Sequence, residues 1–165
     1  MIKGHKLDQI DIKILSVLQQ QGRIKNVDLA DKVALSASPC LQRVKRLEKL
    51  GFIQSYQALI EINKIVETIQ VFTQITIAEH TLEEYAHFEQ RITNIPEVAE
   101  CYLASGGFDY LVKFICRSIT HYQQTIQMLL DSDLGINKYH SYVIMKEIIC
   151  KKDYPIEHLT QLDKN

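Results

Sequence analysis

Apolar residues recur along this chain at two spacings, one close to the helical period and one alternating, and the change between them falls near residue 52. Over residues 7–21, Ile10, Ile14, Leu15 and Leu18 follow the helical period. Asp8 stands where an N-cap belongs, and Gly22 where a left-handed stop belongs. Residues 26–51 read as two short helices joined by a tight turn. The first opens on Asn26 as N-cap, with Val27, Ala30 and Val33 on its inner side. Leu35 and Ser36 turn the chain. The second helix starts near Ala37 under a Ser36 cap and tolerates Pro39, because amides of a first turn have no acceptor within the helix. Leu41, Val44 and Leu47 form its inner stripe, and Gly51 ends it.

Beyond that point alternation predicts a strand over residues 52–62, a polar linker to residue 70, and a β-branched strand over residues 71–78. Thr81 and Glu84 have capping-box spacing ahead of a helix whose face is Leu82, Tyr85, Phe88 and Ile92. Two apolar runs, 98–104 and 110–116, flank Ser105-Gly106-Gly107-Phe108-Asp109 as a hairpin. A further helix carries Ile119, Tyr122, Ile126, Leu129 and Leu130 inward and stops near Gly135, before a last strand over residues 139–149.

The implied fold class is α+β. A three-helix helix-turn-helix domain (1–52) leads through a strand and linker (53–70) to a βαββαβ ferredoxin-like domain (71–151), with a C-terminal tail (152–165). Two helices cover one sheet face only. The alternation places apolar residues on the other face as well, which predicts a second copy packed there in a two-fold dimer.

Charge sharpens the functional reading. Residues 1–52 hold ten Lys and Arg against five Asp and Glu, a net of +5, while the whole chain stands at −1, leaving −6 for the remainder. A solvated helix flank would also carry cations, but a basic first third on an acidic remainder is the division expected of a nucleic-acid module joined to a domain with another task. The outward side chains of the second short helix are the candidate readers of double-stranded DNA: Ser36, Ser38 and Pro39 at its start, then Gln42, Arg43, Lys45 and Arg46. Arg43 and Gln42 are expected to read bases, and Lys45 and Arg46 to meet phosphates.

At 46% hydrophobic and 24% charged residues the chain falls in the globular class. Its apolar runs are far shorter than a membrane span and the start, MIKGHK, shows no signal peptide, so a cytoplasmic protein is expected. Cys40, Cys101, Cys116 and Cys150 lack paired spacing and read as small buried apolar residues, with Cys40 the one placed for a redox role. His5, His80, His87, His121, His140 and His158 show no metal spacing. No nucleophile–base set or phosphate-cradling glycine motif appears, so neither catalysis nor a cofactor is expected. The turn at residues 105–109 suits the ammonium and carboxylate of a small amino acid, since glycine leaves main-chain donors and acceptors uncovered. The same glycines serve a plain hairpin equally well.

Four ordered stretches carry a family resemblance: LDQIDIKILSVLQQQGRI, PCLQRVKRLEKLGFIQSYQALI, SGGFDYLVK and SYVIMKEI. Together they are similar to the Lrp/AsnC (feast/famine) transcriptional regulators, especially the leucine-responsive branch. The resemblance implies a winged helix-turn-helix, an amino-acid-sensing domain, dimers assembling into octamers, and DNA affinity or assembly tuned by a small amino acid; because the turn at residues 105–109 has no charge apart from Asp109, an apolar one such as leucine or methionine is expected. It places the effector at Ser105, Gly106, Gly107 and Asp109, with Tyr102, Leu103 and Ser141 beside them. Ala37 stands where close relatives often have proline, and Gly107 where they often have aspartate. The alternatives are a haem-precursor decarboxylase, since such enzymes resemble these regulators, and a stand-alone amino-acid-binding regulatory protein.

Overall fold

The computed structural model describes residues 6–161; Lys3 and His5, counted above, and residues 162–165 of the tail lie outside them. The chain divides into two units. One runs up to Leu59 and is joined by residues from Ile149 onward, and the other spans Ile60–Ile148.

The first unit is built on α1 (Gln9–Gln20), α2 (Asn26–Lys32) and α3 (Ala37–Lys49). Asp8 caps α1 as predicted: its carboxylate accepts the Asp11 amide at 2.8 Å, and the Asp11 carboxylate accepts the Asp8 amide in return. Ile14, Leu18, Leu29, Ala30, Val33, Cys40 and Leu47 form the core. Ala30 and Val33 of α2 and Val44 and Leu47 of α3 pack inward as predicted, but the first residue of each predicted stripe does not. Val27 is 60% exposed while Leu29 is buried, and Leu41 is 42% exposed while Cys40 is buried, so α3 packs through Cys40, Val44 and Leu47 at four- and three-residue steps. Lys25, not Asn26, is the N-cap of α2; the Asn26 amide instead donates to the Ala37 carbonyl at 2.8 Å, tying the two helix starts together. The turn between them is made by Ala34, at φ +56°, and Leu35 N–H closes it onto the Ala30 carbonyl. Gly51 ends α3 at φ +77° as expected, whereas Gly22 is not left-handed: α1 ends on Gln21, at φ −134° and ψ 63°.

Residues 52–61 form no strand. The alternation is there, but no strand among the described residues offers them a ladder, and Tyr56, Leu59 and Ile60 remain exposed. The tail is not a loose end. Residues 152–156 return to α1, where the Gln19 amide both donates to the Tyr154 carbonyl (2.7 Å) and accepts the Tyr154 N–H (3.0 Å). A short helix, α6 (Ile156–Gln161), follows Pro155 and packs on α1. Sequence periodicity over six residues is too short to announce it.

The second unit has the predicted βαββαβ order: β1 (Ile69–Ile77), α4 (Leu82–Ile92), β2 (Val98–Leu103), β3 (Tyr110–Cys116), α5 (Ile119–Leu130) and β4 (Ile136–Val143). All pairs are antiparallel and the sheet order is β2-β3-β1-β4. Val71, Ile75, Ile77, Val112 and Phe114 face Phe88, Ile92, Tyr122, Ile126 and Leu129 in one core. Leu82 and Ile119, expected inward, are exposed, because each is the first residue of its helix, just beyond the sheet contact. The last strand is shorter and earlier than predicted. β1 supplies partners only as far as Val71 opposite Val143, with one further bond from Ile144 N–H to Gln70, so residues 145–149 have no ladder.

The uncovered sheet face differs from the apolar one expected. Phe72, Leu111, Ile115 and Tyr142 share it with Gln74, Glu100 and Lys113, by ladder register. Lys113, only 9% exposed, donates to Glu100 at 3.1 Å and sits 5.8 Å from the Phe72 ring centre.

Candidate nucleic-acid interface and effector loop

The helix starting at Ser36 presents one continuous outer stripe. Ser38, Gln42, Lys45 and Lys49 follow one another at four-, three- and four-residue steps and all are exposed, as are Ser36 and Pro39 at the helix start. Pro39 lies in the first turn, where its missing N–H leaves no acceptor wanting. This face holds point charges and amide and hydroxyl donors, the groups that meet phosphates and base edges.

Arg43 is set apart from that stripe. Its Nη1 donates to Asp8 Oδ2 at 2.7 Å and to Asp11 Oδ1 at 2.8 Å, and its side chain is 29% exposed. Arg46 donates to the other Asp11 oxygen and keeps about half its surface in solvent, at 48%. Asp11 itself is fully buried, so one carboxylate of α1 holds two guanidinium groups of α3. The Asp11 amide donated to Asp8, and then Arg43, hold the Asp8 carboxyl below the usual carboxylate range. Sequence reasoning had assigned Arg43 to bases; its guanidinium is engaged within the protein instead. The clue lay in matched spacing, since Asp8 and Asp11 stand three apart on one helix, as Arg43 and Arg46 do on another.

In the second unit the Ser105–Asp109 turn closes the β2–β3 hairpin, with Ala104 N–H donating to the Asp109 carbonyl at 2.8 Å. Ser105, Gly106 and Gly107 are exposed, and Gly106 adopts φ +145°, where a side chain would strain the backbone. Tyr102 and Leu103 are exposed beside the turn on β2. Asp109 has a different station. Its Oδ2 accepts Ile77 N–H at 2.8 Å, its Oδ1 accepts the Tyr85 hydroxyl at 3.2 Å, and His80 Nδ1 lies 3.4 Å away. These contacts tie the end of the turn to β1 and α4 and engage both oxygens of the carboxylate. Burial, then the hydrogen bond to Asp109, pushes the Tyr85 hydroxyl up.

Ser141 is not brought to the turn. It lies on β4, opposite Thr73 and at the other edge of the sheet from Tyr102 and Leu103, and its hydroxyl ends a chain running from Thr73 through the Tyr122 hydroxyl. The buried cysteines Cys40 and Cys116 have thiols pushed up by burial, and Cys101 is pushed up to about 11, chiefly for the same reason. That direction disfavours the reactive thiolate considered for Cys40.

Comparison with known proteins agrees with both units. Residues 7–54 match the winged helix-turn-helix DNA-binding family, and residues 70–154 the Lrp/AsnC ligand binding domain. The transcriptional regulatory protein DoeX of Halomonas elongata is 43% identical over 143 residues, covering 87% of this chain and 90% of its own length. The leucine-responsive regulatory protein of Escherichia coli K12 is 39% identical over 145 residues, 88% of each chain. Among solved structures, a transcriptional regulator of Neisseria meningitidis in complex with L-Met superposes with a TM-score of 0.87 at 34% identity, over 93% of this chain and 99% of that one. An AsnC family regulator of Agrobacterium tumefaciens gives the same TM-score at 31% identity and the same coverage. With both units matched and identity sustained over most of its length, the chain belongs to the Lrp/AsnC family and is a DNA-binding transcriptional regulator.

Proposed function

We propose that the protein reads double-stranded DNA as a dimer or larger assembly through the outer stripe of α3, and that a small apolar amino acid at the Ser105–Gly107 turn tunes its binding or assembly. The observation that carries the first part is the unbroken exposure of Ser38, Gln42, Lys45 and Lys49 on one side of a helix whose other side is packed. In this reading Lys45 and the half-exposed Arg46 meet phosphates, Gln42 reads a base edge, and Ser36, Ser38 and Pro39 approach the backbone at the helix start. Lys45→Ala or Arg46→Ala weakens binding to every sequence and flattens the dependence on salt by about one unit per lost phosphate contact. Gln42→Ala costs about 1–3 kcal/mol on the preferred site only. Gel shifts over a salt series on preferred and scrambled duplexes check this; unchanged affinity in all three variants would remove α3 from the interface.

Assembly is supported by the features left without a partner in one chain. The alternating segment at residues 52–61 and the uncovered sheet face both present apolar groups that a second copy would cover. Dimers joining into an octamer, as the family resemblance implies, would place several recognition helices along one duplex.

The amino-acid role rests on the family's ligand binding domain and on the Neisseria relative solved with L-Met. The turn supplies main-chain donors and acceptors, Tyr102 and Leu103 stand beside it, and apart from Asp109, whose oxygens are turned to Ile77 and Tyr85, residues 105–109 carry no charge to pair with a charged side chain. Leucine or methionine is the effector we assign, with Asp109 shaping the turn and Ser141 joining the site only from another copy. Gly106→Val abolishes stabilisation by these amino acids in a thermal-shift titration while DNA binding without effector persists; undiminished effector affinity would locate the sensor elsewhere. The reading is non-enzymic, like the named functions of the relatives, and places the protein with cytoplasmic DNA.

A further inference from the structure

The two acids that hold the arginines of α3 do so with unequal strength. Asp11 is fully buried and bonded to both, so its hold is shielded from solvent and competing ions. Asp8 is different: its side chain is 51% exposed, it shares only Arg43, and it does so through one oxygen while the other caps α1. An exposed ion pair of this kind contributes little in water and is readily exchanged for another anion. Arg43 lies three residues from Arg46 and one from Gln42, on the flank of the outer stripe, and its guanidinium suits a phosphate as well as a carboxylate.

We infer that Asp8 competes with DNA phosphate for Arg43 and thereby sets how much of the positive charge of α3 the duplex receives. This rests on α3 facing DNA. With Asp8 in place, part of the Arg43 charge is neutralised by its own protein, and contact with a phosphate requires the Asp8 bond to be given up while Asp11 keeps the guanidinium near the surface. The result is a regulator whose non-specific grip is deliberately weaker than its count of cations suggests, and base contacts from the outer stripe then weigh more in site choice. Asp8 is a positioning residue here, acting through Arg43 and touching no base.

Asparagine and serine cap helices as well as aspartate does, so Asp8→Asn and Asp8→Ser remove the charge and keep the start of α1. Binding of the full-length variants to a non-specific duplex, followed over about 50–200 mM salt, should tighten several-fold at the low end, with a slope steeper by about one unit. Asp31→Asn, which removes an exposed acid elsewhere in the same unit, measures what a bare change in net charge does, and should give the smaller effect. In an Arg43→Gln background the gain from Asp8→Asn should vanish. An unchanged slope in both Asp8 variants, a gain as large in Asp31→Asn, or a gain that survives without Arg43 would each overturn the inference. Wild-type protein with no salt-dependent DNA binding would instead remove the reading of α3 on which it stands.

Discussion

Asp11→Ala will unfold the first unit at temperatures where the second is still folded. Asp11 accepts from Arg43, Arg46 and the Asp8 amide with its side chain 1% exposed, so the substitution removes three hydrogen bonds at once and leaves Arg43 with Asp8 alone. Removing one partner from a buried ion pair typically destabilises by about 3–5 kcal/mol. Arg46 is half in solvent and Arg43 about a third, so the expected loss here is smaller, about 2–4 kcal/mol. A unit of this size has only about 3–5 kcal/mol in hand, so about 1 kcal/mol remains at the middle of the two ranges and a substantial minority of its molecules should be unfolded near 37 °C. The sheet unit has its own core and melts separately. Thermal melts followed by circular dichroism should therefore resolve two transitions, the lower one moved down, and DNA binding should be lost with it; a single unmoved transition would mean that the network contributes nothing to the fold. Asp8→Asn by contrast keeps the fold. Acid removes the smaller contribution of Asp8: a carboxyl held below its ordinary value contributes stability in full above about pH 4, and that contribution is lost as pH falls through the lowered folded value of Asp8.

How much of this was legible beforehand can be read from particular residues. Local rules succeeded where a single element decides: the Asp8 cap, the Gly51 stop, the hairpin around Gly106 and the alternation of β1 and β3 all depend on neighbours within a few positions. In α2 and α3 the period placed Ala30, Val33, Val44 and Leu47 inward and missed only the first position of each stripe, because Val27 and Leu41 fit the helical period as well as Leu29 and Cys40 do, and only the crossing of the helices chooses between them. Strand ends failed for a related reason. Residues 52–61 and 145–149 have the composition of strands, but a strand exists only where a ladder partner exists, and β1 runs out at one end while the first segment has none in this chain. The role of Arg43 was hidden because a cation on an exposed helix looks the same whether it faces solvent or a carboxylate thirty residues earlier. The effector candidates show the same limit. Turn chemistry located Gly106 and Gly107, while the register that sends Ser141 to the opposite edge and the inward turn of Asp109 arise from tertiary pairing.

Leu111→Asp should leave the protein monomeric with both units folded. Leu111 lies on β3 in the middle of the uncovered sheet face, between Tyr102 and Gln74 in the ladder. In a single chain a carboxylate there is hydrated at little cost, since the face is open. In a dimer closed over this face it would be taken from water, and two-fold symmetry would supply a second carboxylate from the other copy. The one neighbouring cation, Lys113, is already donating to Glu100 and lies over the Phe72 ring, so it has limited capacity to compensate. Burying a charge without a partner costs several kcal/mol, and at about 1.4 kcal/mol per decade this raises the dimer dissociation constant by a factor of about a thousand. Sedimentation at micromolar concentration should then show one species of about 19 kDa, the mass of a single chain, where a dimer or larger assembly is expected of the parent protein. Because one DNA-reading helix replaces two, affinity for a pseudo-palindromic site should fall with it, while affinity for a half-site stays as it was. A Leu111→Asp protein that still sediments with the parent would move the interface off the sheet, and the unpaired segment at residues 52–61 would then be the remaining place for one copy to hold another.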